Sequence, residues 1–243
     1  MTASTQDTVY QGRVRLVQPE AGFRAGFDSL ALAAALPMLQ KGEALELGCG
    51  CGGALLTSAF RLPGLRFIGL DQDAAMAELA REGVRLNDFA PRVSVETGEA
   101  SRWVQDHENR FDLVFANPPY FEPGRISAPG DGKAGAYIES LPLESWIRAM
   151  LLAAKPRAPV ILIHRAAELA RLLVPLDRQA GEITVLPIAT KPGEPARRVL
   201  VRARKGLRRG PLTLLSPLVT HVGEATSRTG AAEAIVQGLP IFW

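Results

Sequence analysis

Asn117-Pro118-Pro119-Tyr120 follows directly on a strongly apolar run, Phe111–Ala116. The amide oxygen of Asn117 and the backbone carbonyl of Pro118 are two acceptors close together. Two acceptors suit the two hydrogens of a planar amino group. Such a nitrogen is a poor nucleophile because its lone pair is delocalised into the ring. Holding both hydrogens turns the lone pair toward an electrophile and stabilises the positive charge that develops on nitrogen. Tyr120 offers a flat face, and stacking on a base is worth about 1–3 kcal/mol. Positioning for in-line displacement supplies the rest, with effective molarities that reach about 10⁵–10⁸ M. The product ammonium is acidic, so no strong general base is needed. The two prolines end strand pairing and stiffen the turn. The plainer reading is a rigid Pro-Pro turn with an aromatic anchor.

A second group of residues stands upstream. Glu46-Leu47-Gly48-Cys49-Gly50-Cys51-Gly52-Gly53 is a glycine loop after a short apolar segment. Gly48, Gly50 and Gly53 satisfy G-x-G-x-x-G, a dinucleotide signature that is weak alone. The same residues satisfy the E/D-x-G-x-G-x-G loop of S-adenosylmethionine sites. Glu46 discriminates: a carboxylate is awkward beside a pyrophosphate and useful beside a sulfonium and an amino group. Asp71, with Gln72 beside it, lies about 20 residues on, where an acid accepts from ribose hydroxyls. Glu99 and Ala100 follow a third such segment, where an acid can meet the adenine amino group. The cofactor set is therefore Glu46, Gly48, Gly50, Gly52, Asp71, Gln72, Glu99, Ala100 and Asn117, and the cofactor is S-adenosylmethionine. A glycine-rich turn that binds nothing, and solvated or helix-capping acids, are the plainer readings.

These residues need a frame. Apolar segments at 44–47, 67–70, 93–95, 111–116 and 159–163 alternate with helical patterns at 53–60, 73–86, 101–107, 143–154 and 166–173. Alternation of this kind predicts a doubly wound α/β fold with a mostly parallel, seven-stranded sheet. Segments 183–188 and 198–204 have no helix between them, so they predict a terminal antiparallel hairpin at one edge. Ligands on such sheets sit beyond the carboxyl ends of the strands. Residues 1–42 read as a strand arm and helix leading into the fold, with Tyr10–Gln18 as a short exposed strand or hairpin arm and Asp28 as the N-cap of the helix after it. Residues 43–243 read as the domain itself. Asp73 is expected to cap the helix after Asp71, and the apolar end Leu239–Trp243 to pack back on the domain.

The N-P-P-Y turn resembles the signature of methyltransferases that act on planar amino nitrogens. Over nearly its whole length the chain resembles the bacterial tRNA(Val) adenine-N6 methyltransferases. The likeness rests on Gly22-Phe23-Arg24-Ala25-Gly26-Phe27-Asp28-Ser29-Leu30-Ala31-Leu32-Ala33, the glycine loop, N-P-P-Y-F, and Arg198-Val199-Leu200. It implies a class I methyltransferase fold and methyl transfer to adenine N6 in tRNA near the anticodon. It also implies that Asp28 lies near the cofactor and the catalytic turn, with Asn117, Pro118, Pro119 and Tyr120 as the catalytic set. Lys133-Ala134-Gly135-Ala136-Tyr137-Ile138-Glu139 stands where better-known members carry an Arg-rich segment. The glutamine-modifying relatives need an N-terminal helical domain that about 40 residues before Glu46 do not supply. A guanine-N2 methyltransferase acting on rRNA, an NAD-binding oxidoreductase and a non-catalytic RNA-binding module are the alternatives.

Composition sets outer bounds. The chain has 243 residues, 47% hydrophobic and 22% charged, which excludes a disordered chain and a coiled coil. No apolar run reaches the roughly 20 residues of a membrane span. A polar N-terminus and two cysteines in an unsuitable register predict a cytoplasmic, reduced, metal-free protein. The net charge of +3 is uneven: residues 190–210 carry +7 and the remainder −4. Lys191, Arg197, Arg198, Arg202, Arg204 and Lys205 are the candidate RNA-binding residues. A solvated sheet edge protected by its charges is the plainer account.

Overall fold

The alternating pattern folds as a sheet with helices on both faces. The computed structural model describes residues 3–22, 24–120, 141–223 and 227–243. Its strands are β1 (Ser4–Val9), β2 (Val14–Pro19), β3 (Gly42–Leu47), β4 (Leu65–Asp71), β5 (Val93–Thr97), β6 (Leu113–Ala116), β7 (Pro159–Arg165), β8 (Ala180–Ala189), β9 (Arg198–Lys205), β10 (Thr213–Leu214) and β11 (Leu218–Val219). Its described helices are α1 (Phe27–Ala35), α2 (Gly53–Arg61), α3 (Ala74–Leu86), α4 (Ala100–Trp103), α5 (Leu143–Ala153), α6 (Leu169–Gln179) and α7 (Gly230–Val236).

The main sheet runs β5-β4-β3-β6-β7-β9-β8. Strand β9 is antiparallel to both neighbours, and the other pairings are parallel. These are the seven strands and the antiparallel hairpin that the sequence predicts. Two short strands are added: β10 and β11 both pair with β8, making nine. The outer side of the hairpin is therefore partly covered rather than a bare edge.

Alternation along each strand divides the core. Leu45, Leu47, Val114 and Ala116 face the layer that contains α5 and α6. Ala44, Leu113 and Phe115 face the layer of α1, α2 and α3. Strand β6 stops at Ala116 because Pro118 and Pro119 have no N–H to continue a ladder.

Of the two readings of Tyr10–Gln18, the hairpin arm holds and the exposed strand does not: it is the turn and inner strand of a two-stranded hairpin, β1–β2, with only Arg15 exposed along β2. Strand β2 packs on α3 and α2, so Val14, Leu16 and Val17 join the buried interior. Gln18 Nε2 donates to Asp7 Oδ2 (3.0 Å), and its Oε1 accepts from the N–H of Ala25 (2.7 Å). That clamp fixes the chain entering α1. The N-cap of α1 is Gly26, not Asp28, and Asp28 sits in the first helical turn. A tyrosine and an arginine from elsewhere engage the Asp28 carboxylate instead, as described below. Asp73 caps α3 as expected, accepting from the N–H of Ala75 (2.8 Å) and Met76 (3.3 Å). The end of the chain returns to α1, with the N–H of Ile241 on the carbonyl of Ala34 and Trp243 Nε1 on the carbonyl of Ala35.

Candidate active site

Register gathers the motif residues at one end of the sheet. Leu47 pairs with Leu70 and with Ala116, and Asp71 pairs with Thr97. Gly48, Gln72, Gly98 and Asn117 therefore leave four adjacent strands side by side. This is the carboxyl-end crevice where ligands of such sheets bind.

The glycine loop is held from β4. The N–H groups of Gly48 and Cys49 donate to the carbonyl of Leu70 (2.7 and 3.0 Å), and the N–H of Gly50 donates to Asp71 Oδ2 (2.7 Å). The loop turns through positive φ at Gly48 (69°), Gly50 (54°) and Gly52 (88°). A Cβ added at Gly48 would lie 2.7 Å from the ring of Trp146, which rises from α5. Glycine is thus required twice there, for the turn and for the approach. Cys49 and Cys51 are buried, and burial pushes the Cys51 thiol up to about 11, so at neutral pH it stays protonated.

Glu46 is 2% exposed, and its Oε2 has no hydrogen-bond partner among the described residues. Burial, then the neighbouring Asp71 charge, hold its carboxyl well above the usual carboxylate range. An orphaned buried carboxyl beside a glycine loop is the group that a cationic ligand would satisfy. Asp71 Oδ1 accepts from the N–H of Asp73 (2.9 Å) and Oδ2 from that of Gly50, so backbone donors fix the carboxylate at the strand end. Glu99 caps α4, accepting from the N–H of Ser101 (2.9 Å) and of Arg102 (3.1 Å) and from Ser101 Oγ (2.8 Å). Ala100 is buried as the first residue of that helix. This donor set fits S-adenosylmethionine, because an orphaned buried carboxyl suits a positive charge, a backbone-held carboxylate suits ribose hydroxyls and glycines admit a ligand close to the backbone.

The Asn117–Tyr120 turn is tied to three distant elements. Tyr120 Oη lies 2.6 Å from Asp28 Oδ2 and 3.0 Å from Asn117 Oδ1. Arg198 Nε donates to the same Asp28 oxygen (2.8 Å), and its guanidinium carbon stands 4.7 Å over the Tyr120 ring. His164 packs edge-to-face on Tyr120 at 5.2 Å, with Nε2 3.4 Å from the carbonyl of Pro119. Burial pushes His164 down to about 4, so the ring is neutral at neutral pH. Burial, then the Asp28 charge, raise the Tyr120 phenol above its usual value. Sequence alone assigns His164 no role. Its place depends on β7 lying beside β6, where Ala116 pairs with Leu162 and the strand end carrying His164 runs level with the turn. A short, isolated histidine signal cannot report that register.

The six basic candidates divide along β9. Arg197 is exposed and Arg198 half-buried at the site end. Lys191 lies in the turn that leads to them. Arg202 stacks over Trp243 at 4.8 Å. At the far end Arg204 donates to the carbonyl of Arg157 (2.8 Å), and Lys205 Nζ donates to the carbonyls of Ala154 (2.9 Å) and Leu152 (3.2 Å) and to Asn109 Oδ1 (2.7 Å). The segment Lys133–Glu139 lies outside the described residues. No described helix is long and apolar enough to cross a membrane.

Comparison with known proteins agrees with this geometry. Residues 44–127 match the model of a methyltransferase domain. Curated tRNA1(Val) (adenine(37)-N6)-methyltransferases of Yersinia pestis and Yersinia pseudotuberculosis are 28% identical over 200 aligned residues, which cover 70% of this chain and 81% of theirs. A solved structure titled a predicted O-methyltransferase from Agrobacterium tumefaciens superposes with a TM-score of 0.73 at 25% identity, covering 88% of this chain and 98% of that one. P. horikoshii TYW2 in complex with MeSAdo shares the fold, with a TM-score of 0.59 at 14% identity over 84% of this chain and 72% of its own. With the matched domain, these relatives and a cleft whose acids and glycines fit the cofactor, the chain is an S-adenosylmethionine-dependent methyltransferase, similar in sequence to the tRNA1(Val) adenine-N6 methyltransferases.

Proposed function

We propose that the chain methylates the exocyclic N6 of an adenine in RNA, with tRNA near the anticodon as its substrate. The carrying observation is the adjacency of β3 and β6. Their register puts the Asn117–Tyr120 turn directly beside the Glu46 and Gly48 loop. Acceptors for an amino group thus stand next to the cleft that holds the methyl donor. The relatives named for tRNA adenine 37 direct the reading to adenine and to tRNA.

S-adenosylmethionine, when bound, supplies an electrophilic methyl group on a sulfonium. The chain's own residues do the rest. Asn117 Oδ1 and the Pro118 carbonyl accept the two N6 hydrogens and turn the nitrogen lone pair toward the donor. Pro119 keeps that pair of acceptors in a rigid turn. Tyr120, braced by Arg198 and His164, is the aromatic residue that meets the flat base. Glu46 offsets the positive charge of the cofactor, and Asp71 fixes the ribose. Lys191 and Arg197, at the site end of β9, meet phosphates.

The test is incubation with unmodified bulk tRNA and methyl-labelled cofactor, followed by digestion to nucleosides. Label in N6-methyladenosine is expected, and Asn117→Ala should lower its rate by about 10²–10³-fold, as removal of one preorganised hydrogen-bonding group from a transition state does. Label in N2-methylguanosine alone would overturn the adenine assignment.

A further inference from the structure

The Tyr120 hydroxyl has one proton and two claimants. Asp28 Oδ2 lies at 2.6 Å and Asn117 Oδ1 at 3.0 Å. Asp28 has the stronger claim. A separation of about 2.5–2.7 Å is the length of a hydroxyl bond to a carboxylate. Arg198 Nε donates to the same oxygen at 2.8 Å, so the Asp28 carboxylate is the ion-paired acceptor of the two. With its proton committed to Asp28, the Tyr120 oxygen has only lone pairs left for Asn117. Two acceptor oxygens at 3.0 Å repel. Turning the amide of Asn117 end for end removes the conflict, because Nδ2 then donates to the tyrosine oxygen. The same turn frees Oδ1 from Tyr120.

We propose that Arg198, Asp28 and Tyr120 form a positioning chain that sets the amide of Asn117, pointing Nδ2 at the Tyr120 oxygen and leaving Oδ1 as the acceptor for the substrate amino group. The inference rests on the N-methyltransferase reading above. It gives Asp28 and Arg198 a task distinct from touching cofactor or phosphate. An unset amide presents its NH₂ to the substrate NH₂ part of the time, and donor meets donor. The chain links elements far apart in sequence, since Asp28 comes from α1, Tyr120 from the turn after β6 and Arg198 from the start of β9. His164 supports the turn from its other side through the ring of Tyr120 and the carbonyl of Pro119.

The experiment uses the full chain, unmodified bulk tRNA and labelled cofactor. It compares wild type with Y120F, D28N, R198M, R198K and the Y120F/D28N double variant. Steady-state kcat and KM for tRNA are measured, with calorimetric Kd for S-adenosylhomocysteine. Y120F and D28N should each lower kcat by roughly 10–100-fold, within the range that positioning losses reach. KM and Kd should stay within about threefold, R198K should recover part of what R198M loses, and the double variant should be no slower than its slower parent. Three results overturn the chain: full kcat in Y120F, a tenfold rise in Kd with kcat kept in D28N, or a rise in KM alone in R198M. Multiplicative losses in the double variant overturn it as well. Wild-type protein that labels no nucleoside in RNA refutes the underlying function and the chain together. An active wild type with a fully active Y120F refutes the chain alone.

Discussion

Glu46 shows how a single side chain links stability to ligand binding. Its folded-state pKa is raised above the ordinary 4.5, chiefly by burial. The folded protein therefore holds a proton that the unfolded chain has released above that pH. Stability contributed by this group is fully present below about 4.5 and is lost as pH rises through the higher folded value. A cation bound beside it reverses the preference and expels the proton. Glu46→Gln should thus raise the melting temperature of the ligand-free protein at pH 8 and flatten its decline as pH rises above about 4.5. The same change should weaken S-adenosylmethionine by about tenfold or more, since a hydrogen bond to a charged group is worth about 1.5–3 kcal/mol. The uncharged S-adenosylhomocysteine should lose less. Equal losses for the two ligands, or a lower melting temperature at pH 8, would remove Glu46 from the role of counter-charge.

At the scale of elements, the glycine loop and α5 form one unit. Gly48 lies at a φ of 69°, and its missing Cβ is the space taken by the Trp146 ring. Gly48→Ala meets two penalties, about 1–2 kcal/mol for a left-handed backbone and about 1–3 kcal/mol for overpacking. Thermal unfolding should fall by roughly 2–4 °C per kcal/mol. Adding Trp146→Phe should recover part of the loss, because a smaller ring makes room. Additive losses in the double variant would show that the two elements are not coupled at this point. The loop was legible in sequence because glycines at this spacing after an apolar segment have few other uses. Trp146 was not, since nothing local in Leu143–Ala153 says which strand end its ring reaches. The same distinction runs through the fold. Strand and helix alternation, the Asp73 cap and the Asn117–Pro119 stop are local signals, and they were readable. The buried face of β2, the true place of Asp28 and the approach of His164 to Tyr120 depend on pairings between segments far apart in sequence. Asp28 misled because an acid before an Ala- and Leu-rich run looks like a cap, while its carboxylate is drawn to Arg198 170 residues away.

For the whole molecule, the charge asymmetry of +7 over residues 190–210 against −4 elsewhere divides when it is folded. Strand β9 runs antiparallel to β7, with Arg198 opposite Arg165 and Arg204 opposite Pro159. The basic stretch therefore spans the sheet from the site end to the opposite end. Lys205 there donates to the carbonyls of Leu152 and Ala154, at the C-terminus of α5, where a cation offsets the negative end of the helix dipole. Arg204 holds the carbonyl of Arg157. Those two side chains hold the fold, whereas Arg197 is exposed beside the crevice and Lys191 lies in the turn before it. The two ends should respond differently to alanine. Lys191→Ala with Arg197→Ala should raise KM for tRNA several-fold and leave kcat and melting temperature unchanged. It should also reduce the dependence of log KM on log salt by about 0.7–0.9 for each phosphate no longer neutralised. Lys205→Ala should instead lower the melting temperature and leave that salt slope as it is, since its three hydrogen bonds are internal. KM measured across a salt series, beside thermal unfolding of each variant, decides. If Lys205→Ala moves the salt slope and the Lys191 and Arg197 pair does not, RNA lies along the opposite end of the sheet, away from Asn117, and the adjacency of substrate path and acceptor turn is lost.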